Sequence, residues 1–429
     1  MSISRTGESA SAVKKSRRAI RAACIGNATE WYDFAVYGAL ATVVGLVFFP
    51  AKDLATSMSA AFAVYGTALI VRPLGALVFG RLGDTRGRRN VLITVIFLMA
   101  GATAGVGFLP GYATIGLLAP ILLLFLRAVQ GLAAGGELGA AAVFMLENAE
   151  HSRRGQAGSW QTATMAFGIG MGMGVAGVLS WVFGEAGWSE WWRIAFLLAL
   201  PLGLIGLFLR RRLAETEQFI VLRTASRLLD HPVRELWKGH KAAVLRGFCL
   251  IAAGSLAFNT FFIFLPNNLI SRHGAGLTPT LLLTAATLTV AATAALALGR
   301  LSDRFGRRPV AIVSCAGLVL FAMPATVVAT QGSPLGLVLA QVAIGIAVTG
   351  VLSIAMLGEA FPASVRSTGV ALTAGIATAL IGGTAPWIDH ILVSVTGGEL
   401  APGVYVAGVG GLALLALRGW PETAFSNLD

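Results

Sequence analysis

Twelve apolar stretches, separated by short polar segments, restrict the fold of this chain more than any other feature of its sequence. Most are 20 or more residues long, and a helix needs about 20 apolar residues to cross the hydrocarbon core of a bilayer. Their unbroken apolar runs exclude a membrane β-barrel, whose strands alternate apolar and polar residues. The pattern therefore predicts an all-α polytopic membrane protein with twelve transmembrane helices, numbered here as spans one to twelve: 24–49, 57–80, 90–109, 115–146, 156–184, 193–209, 243–270, 279–299, 309–330, 334–358, 367–395 and 402–418.

The charge composition excludes a soluble globular enzyme and explains the positive balance of the chain. Only 12% of the residues are charged, whereas soluble proteins carry about 25%. If the N-terminus is cytoplasmic, 27 of the 32 Lys and Arg residues fall on the cytoplasmic side. The positive-inside rule then predicts a multi-pass protein of the plasma (inner) membrane with both termini in the cytoplasm. The net charge of +12 is thus topological, with the lipid bilayer as a partner and no nucleic acid.

The two halves of the chain repeat each other. The segment Gly80-Arg-Leu-Gly-Asp-Thr-Arg-Gly-Arg-Arg after span two recurs as Gly299-Arg-Leu-Ser-Asp-Arg-Phe-Gly-Arg-Arg after span eight. Such duplication in a helical membrane protein favours two pseudo-symmetric six-helix bundles around a central site. We predict an N-terminal bundle with its basic arm over 1–209, a cytoplasmic linker over 210–241 and a C-terminal bundle over 242–429.

The repeated Gly-x-x-x-Asp-x-x-Gly-Arg-Arg pattern resembles the signature of the major facilitator superfamily. Within it, the chain resembles the metabolite:proton symporter family in span one and in four short motifs: Gly26 to Gly38, Arg72-Pro-Leu-Gly, Arg127-Ala-Val-Gln-Gly, Gly135-Gly-Glu and Trp192-Arg. The resemblance implies the superfamily fold and proton-driven uptake of a small metabolite, in a group whose members carry oxo-acids, citrate, shikimate, proline or betaine. The sequence lacks the heptad-bearing tail of osmosensing members, so we expect no osmosensor, although an osmolyte substrate stays open.

Four charged residues fall inside the spans of the N half: Glu30, Asp33, Arg72 and Arg127. A charge at mid-membrane costs about 2.5 to 3.5 kcal/mol on insertion scales and is usually functional. At 1.5 Å rise per residue, Glu30 and Arg72 both stand about 13 Å above the cytoplasmic edge and can be level, with Asp33 and Arg127 nearer the middle. We predict that Glu30, Asp33 and Arg72 couple transport to protons. The alternative is that Glu30 and Arg72 form a permanent structural pair.

The spans of the C half carry charges only near their ends, such as Arg246 and Asp389, so we expect them to supply uncharged hydrogen-bonding groups. An Arg side chain matches a carboxylate with two hydrogen bonds from a planar fork. The first candidate for an anion site is Arg127 and the second is Arg193, unless acids or backbone carbonyl groups already occupy Arg127. The full set predicted to bind substrate is Arg127, Arg193, Asn27, Tyr37, Gln161 and Asn259.

The repeated loops predict a gate at the cytoplasmic side. A carboxylate at a helix end can pair with an Arg or with the N-terminus of a neighbouring helix in one state and release it in another. Topology alone explains the Arg residues of these loops but not their repeated Asp and Gly. The predicted gating residues are Asp84, Arg88, Glu147 and Arg154 in the N half, and Asp303, Arg307, Glu359 and Arg366 in the C half.

Together these features predict a proton-coupled symporter that imports a small carboxylate-bearing metabolite, of the oxo-acid, dicarboxylate or tricarboxylate type, by alternating access. One alternative is a proton-coupled importer of proline or betaine, and a second is a drug-type proton antiporter, which the absence of Pro from span five disfavours. A membrane enzyme is disfavoured because no nucleophile, metal cluster or paired acids stand out, and a channel because the bundles are duplicated. We expect no cofactor, no metal and a functional monomer whose partners are protons and a small molecule.

Overall fold

The computed structural model describes residues 24–86, 88–135, 145–146, 149–184, 188–211, 232–362 and 365–426, without the side chains of 80–92, 151, 188–190, 209–211, 232 and 367. Ten helices in this part of the chain are long and apolar enough to cross a membrane, a bent pair makes an eleventh, and Ile93–Phe108 is a shorter apolar helix. Together they occupy the twelve predicted spans. Helices are expected because lipid offers no partner to an unpaired backbone N–H or C=O group.

The first six spans, the N half, follow the predicted order. A short helix, Tyr112–Ile115, precedes span four, and a 3-10 turn, His151–Arg153, precedes span five. The helices are Cys24–Ala39 and Ala41–Phe48 in span one, Leu54–Ile70 and Arg72–Arg86 in span two, Arg88–Phe108 in span three, Leu118–Gly135 in span four, Arg154–Phe183 in span five, and Trp188–Leu197 and Ala199–Arg211 in span six.

The last six spans, the C half, follow a short helix, Pro232–Gly239. They consist of Lys241–Asn259 with Leu265–His273 in span seven, Leu277–Phe305 in span eight, Arg307–Thr330 in span nine, Pro334–Val351 with Ile354–Glu359 in span ten, Arg366–Ala377 with Ala385–Thr396 in span eleven, and Ala401–Leu417 in span twelve. The described residues contain no strand, which confirms the all-α prediction.

The two ends of the bundle differ in charge. Five of the odd-numbered spans begin with Arg or Lys, at Arg88, Arg154, Lys241, Arg307 and Arg366. Because successive spans alternate in direction, these residues lie at one end of the bundle. That end is named the basic end here, and the opposite end the distal end.

Several of the described spans are interrupted, among them spans one, seven and eleven. Span one bends by 63° between its two helices. Spans seven and eleven each contain one π-helical segment, Thr260–Phe264 and Thr378–Gly382. A π segment widens the helix by one residue per turn and is frequent at functional positions.

The two halves pack against each other mainly through spans five and eight, which lie side by side along most of their length. Gly155 lies against Gly299, and Gly170 lies against Ala285. A Cβ atom on Gly155 would collide with span eight, so glycine is what lets the helices approach closely. The outer surface of the bundle is apolar. Phe97, Leu204, Val313 and Leu320 are exposed by 65% to 72%, as expected of a surface that faces lipid.

Candidate functional site

A buried ion pair joins spans one and two. Nη2 of Arg72 donates a hydrogen bond to Oε1 of Glu30 at 2.8 Å, and each side chain is only 2% exposed. The guanidinium carbon of Arg72 lies 4.5 Å from the ring centre of Phe34 and 4.9 Å from that of Trp31. The two residues that the sequence placed level with each other are therefore in contact, and aromatic rings cover the cation.

Arg127 of span four lies wholly buried beside this pair. Its Nη1 donates to Oε1 of Gln130 at 2.8 Å and its Nη2 to the carbonyl of Tyr65 at 3.4 Å. The guanidinium carbon stands 4.3 Å from the ring centre of Tyr37. Within the described residues, Nε of Arg127 has no acceptor. Arg127 is thus held in place by two bonds and keeps donors for a further group.

Asp33 of span one is the neighbouring acid. It is 1% exposed, and neither carboxylate oxygen has a hydrogen-bond partner in the part of the chain that the structure describes. The groups that act on it electrostatically are Arg127 and Glu30, and the Thr103 hydroxyl is close by. That hydroxyl donates to the carbonyl of Met99 at 3.0 Å. Asp33 is therefore near a cation without forming an ion pair with it.

A hydrogen bond between Tyr65 of span two and Asn259 of span seven connects these residues to the C half. The Tyr65 hydroxyl donates to Oδ1 of Asn259 at 2.9 Å, and Nδ2 of Asn259 donates to the carbonyl of Ser255 at 2.9 Å. Asn259 is the last residue before the π segment of span seven. Because the Tyr65 carbonyl also accepts from Arg127, this residue links the buried cation to the opposite half.

The six residues predicted to bind substrate do not all lie together. The residues around Arg127, namely Glu30, Asp33, Tyr37, Tyr65, Arg72 and Asn259, are called the central cluster here. Of the predicted residues, Tyr37, Arg127 and Asn259 belong to it. Nδ2 of Asn27 donates to the carbonyl of Gln161 at 2.9 Å, which ties spans one and five together nearer the basic end. Arg193 is half-buried near the distal end of span three, where it donates to the carbonyl of Leu109 at 3.4 Å.

Two buried polar residues of the C half, Gln341 and Asp389, differ in how many hydrogen bonds they make. Gln341 donates to the Phe261 carbonyl at 3.0 Å and to the Thr284 hydroxyl at 3.1 Å, and accepts from the Thr287 hydroxyl at 2.7 Å. These bonds use its amide, so Gln341 mainly holds three spans together. Asp389, by contrast, is wholly buried. Its position toward the end of span eleven, which the sequence indicates, does not expose it.

Acidic and basic side chains of both halves meet at the basic end. Asp303 of span eight accepts from the backbone N–H of Gly155 at 2.7 Å and of Gln156 at 2.9 Å, the first residues of span five. Anions are favoured at a helix N-terminus, where backbone N–H groups are unpaired. Nη1 of Arg307 donates to the same carboxylate at 2.8 Å.

Glu359 extends this network. It accepts from Nη2 of Arg307 at 3.1 Å and lies 3.8 Å from Nη1 of Arg154 in the N half. Arg366 donates to the carbonyls of Gly358 and Phe361. The predicted gating residues of the C half and Arg154 therefore gather where the two halves meet at the basic end, and this contact is called the basic-end seam here. The others lie outside the described part of the chain: Glu147 entirely, and Asp84 and Arg88 by their side chains.

Two contacts join the halves near the distal end, and together they are called the distal seam here. Nδ2 of Asn267 in span seven donates to the carbonyl of Gly38 at 2.8 Å. Nε2 of His390 in span eleven lies 2.9 Å from the carbonyl of Ala55 in span two. Asp53 caps the start of that helix: its carboxylate accepts from the backbone N–H and the hydroxyl of Thr56, and these bonds hold the pKa of the carboxyl below its usual value. The halves thus touch on both sides of Arg127, which is an occluded arrangement.

Sequence analysis missed three members of the site: Thr103, Gln130 and Tyr65. Gln130 stands three residues after Arg127, a spacing that brings side chains together on a helix, so this one could have been found. The other two contacts depend on how distant spans pack. Among the described residues, no group of three His, Cys, Asp or Glu side chains is placed to hold a metal ion.

Comparisons with known proteins agree with this architecture. The chain matches the family model described as Major Facilitator Superfamily over residues 33–386. It is 35% identical to the proline/betaine transporter of Salmonella typhimurium, over 96% of this chain and 84% of that protein. It is 34% identical to the alpha-ketoglutarate permease of Escherichia coli, over 88% of this chain and 87% of that protein.

A solved structure shows the same fold. The proton:xylose symporter XylE bound to 6-bromo-6-deoxy-D-glucose superposes with a TM-score of 0.78, covering 97% of this chain and 98% of that one. The sequence identity is 18%, so this likeness concerns the arrangement of the helices in two bundles and carries no information about the substrate.

Proposed function

The chain belongs to the Major Facilitator Superfamily, a family of transporters and not of enzymes, and from this we propose that it is a proton-coupled symporter that imports a small carboxylate-bearing solute. The observation that carries the proposal is a wholly buried Arg127 with unused donors beside a buried Asp33 without hydrogen-bond partners among the described residues. We place the basic end in the cytoplasm of a cell whose inner membrane holds the protein.

Arg127 has the chemistry of an anion site. A guanidinium presents five N–H donors, and the protein uses two of them here, toward Gln130 and Tyr65. The remaining donors can bind a carboxylate through two hydrogen bonds. Proline, betaine and alpha-ketoglutarate, from which the two relatives take their names, all carry a carboxylate, which supports this assignment.

Asp33 has the surroundings of a proton carrier. An ionised carboxylate without partners is costly to bury, and protonation removes most of that cost. The occluded arrangement is therefore suited to an Asp33 that holds its proton. Glu30 differs because its charge is already balanced by Arg72 at 2.8 Å, so we assign Glu30 and Arg72 a supporting role around the proton site.

Coupling follows from the nearness of the two sites. A substrate carboxylate on Arg127 brings negative charge close to Asp33, which makes the ionised form of Asp33 harder to keep buried and favours proton binding. By thermodynamic reciprocity the proton then strengthens anion binding to the same extent, and typical couplings of about 1 to 3 kcal/mol correspond to about 5- to 150-fold in affinity. Anion and proton thus travel together.

Alternating access has a physical basis in the two seams. The basic end is closed by Asp303 on the start of span five and by Glu359 near Arg154. The distal end is closed by Asn267 on Gly38 and by His390 on Ala55. Opening one seam while the other stays closed exposes the cluster around Arg127 to one side at a time.

A zwitterionic osmolyte is the second candidate. The observation in its favour is the 35% identity to a proline/betaine transporter over nearly the whole chain. Arg127 then binds the carboxylate, and the cationic nitrogen needs an acid or an aromatic face, which Asp33 and Tyr37 can supply. The two candidates differ in charge: a zwitterion with one proton carries one positive charge across the membrane, whereas a monoanion with one proton carries none.

The test is uptake by the purified protein in liposomes with an inward proton gradient. The panel is alpha-ketoglutarate, proline, glycine betaine and, as a solute without a carboxylate, xylose. We expect at least one carboxylate to accumulate, a protonophore to abolish accumulation, and Asp33→Asn to retain exchange of solute while losing accumulation. Currents recorded on the same liposomes separate the two candidates. Uptake of xylose alone, or accumulation that needs sodium and survives the protonophore, refutes the proposal.

A further inference from the structure

The C half contains a second buried acid that the transport cycle described above does not use. Asp389 of span eleven is wholly buried. Its Oδ2 accepts one hydrogen bond, at 2.7 Å from the hydroxyl of Thr260. Its Oδ1 has no partner, and no Lys, Arg or His forms an ion pair with it within the described residues. A lone carboxylate in such surroundings is costly to keep ionised.

The hydroxyl that meets Asp389 is oriented in an unusual way for this protein. Most threonines inside the C-half spans donate to the backbone carbonyl four residues earlier, as at Thr280, Thr284, Thr289 and Thr326. Thr260, the first residue of the π segment of span seven, donates to Asp389 instead. The widened turn and the acid therefore form one built contact between spans seven and eleven.

This contact lies directly behind the distal seam. Asp389 is seven residues before the distal end of span eleven at Thr396, or about 10 Å at 1.5 Å per residue. The next residue, His390, touches the carbonyl of Ala55 and lies 6.1 Å, ring centre to ring centre, from Phe62 of span two. Separation of spans two and eleven thus removes the cover between Asp389 and the water on the distal side.

We propose that Asp389 is a second proton-binding site, which takes a proton from the distal side when the distal seam closes and returns it there when the seam opens. The inference rests on the proposed function, in which the distal side is the outside of the cell. In the open state, water solvates the carboxylate. Closure removes that water, so the carboxylate takes up a proton from the distal solution and the neutral acid is buried. Closure of the outer gate is thereby linked to external pH.

Other ionisable groups surround this position and must be distinguished from it. His390 stands next to Asp389 on span eleven, and Tyr405 of span twelve interacts with Asp389 electrostatically. Asp53 before span two and Arg272 at the end of span seven act on His390. Histidine is the side chain that ordinarily changes charge near neutral pH, so His390 is the main competing explanation for a pH-dependent seam.

The experiment measures the distal seam directly, without substrate and without a gradient. Spin labels are placed on Lys52→Cys and Val395→Cys, two exposed positions at the distal ends of spans two and eleven, after replacement of Cys24, Cys249 and Cys315. Label distances in lipid nanodiscs between pH 5 and pH 9 give the ratio of closed to open molecules. One linked proton requires this ratio to fall by up to about tenfold per pH unit, between the pH at which the acid titrates in the open state and the pH at which it titrates in the closed state.

Four variants decide the outcome. Asp389→Asn keeps an acceptor for Thr260 but has no proton to lose, so the seam is expected to stay closed at high pH. Asp389→Glu and His390→Gln are expected to retain the pH dependence. Thr260→Val removes the hydrogen bond that stabilises the ionised form and should move the midpoint to higher pH, which provides a test even if Asp389→Asn does not fold.

Three results overturn the inference: a pH dependence that is unchanged in Asp389→Asn, one that is lost in His390→Gln alone, and a parent protein whose label distances do not change with pH. Because the measurement uses neither solute nor Asp33, it can fail while proton-driven uptake stands, and the uptake test can fail while the seam still responds to pH.

Discussion

Replacement of Arg127 by Lys tests the anion site most directly, because Lys keeps the charge and loses the planar fork. In the structure, Arg127 uses two of its five donors on Gln130 and Tyr65, so three remain for a substrate. An ammonium group has three donors in all. After it has satisfied Gln130 and Tyr65, one remains, and the substrate carboxylate loses one charge-assisted hydrogen bond.

The expected weakening can be worked out from this count. A hydrogen bond to a charged group contributes about 1.5 to 3 kcal/mol, and about 1.4 kcal/mol corresponds to a factor of ten in affinity. Arg127→Lys should therefore raise the Kd of a carboxylate solute by about 10- to 150-fold. The assay is equilibrium binding of the labelled solute to purified protein in nanodiscs, with thermal unfolding as the check that the variant is folded.

Arg193→Lys is the matched control. Arg193 is half-buried near the distal end, where it donates to the Leu109 carbonyl, outside the central cluster. Its replacement should change the Kd by less than about twofold, since losing a partly exposed contact costs little. If Arg127→Lys binds as tightly as the parent while Arg193→Lys binds weakly, the reasoning is refuted and the anion site lies near the distal end.

Three further replacements test the surroundings of this site. Glu30→Gln removes the buried carboxylate that pairs with Arg72 at 2.8 Å and should destabilise the protein by up to about 3 to 5 kcal/mol, seen as a lower unfolding temperature; unchanged stability would show that the pair is dispensable to the fold. Asp303→Asn weakens closure of the basic end, so solute binding in detergent should persist while uptake falls, and normal uptake would remove Asp303 from the gate. Tyr65→Phe removes the hydrogen bond to Asn259, and a loss of about 1 kcal/mol should weaken solute binding about fivefold; a Kd equal to that of the parent contradicts a link between the halves through this residue.

The helices of this protein and their order could be predicted from the sequence because lipid imposes one strong condition. Every backbone polar group in the hydrocarbon region must be paired within the chain, so long apolar runs become helices whatever else they contact. The same regularity made the depth of residues predictable. Glu30 and Arg72 are equally far from basic clusters at one end of their spans, and the structure brings them to 2.8 Å.

The parts that could not be predicted depend on packing between distant spans. Asp389 lies near the end of an apolar stretch, and nothing in its neighbours along the chain shows that Thr260 meets it. The π segment that contains Thr260 has no distinct pattern in the sequence either, because one additional residue in a turn barely changes the spacing of apolar positions. The engagement of Arg127 by the Tyr65 carbonyl was equally hidden, since backbone carbonyl groups carry no sequence signal.

The basic-end seam shows how a duplicated sequence produces a contact that can open. Glu359 lies near Arg154 of the other half and against Arg307 of its own. When the halves separate at this end, Glu359 and Asp303 both keep Arg307, so neither acid is left buried without a cation.

Opening of this seam removes the two bonds from the start of span five to Asp303, as well as the bonds from Arg154 to the Ser426 carbonyl and from Thr162 to the Leu352 carbonyl. At about 1.5 to 3 kcal/mol for each bond to a charged group, the two bonds to Asp303 contribute about 3 to 6 kcal/mol together, and water at the exposed helix end offsets part of it. A change of about 5.5 kcal/mol is enough to invert a 1:99 population. Binding of a solute and a proton at Arg127 and Asp33 can thus decide which seam is open, because the gate that they must shift is held by interactions of the same size.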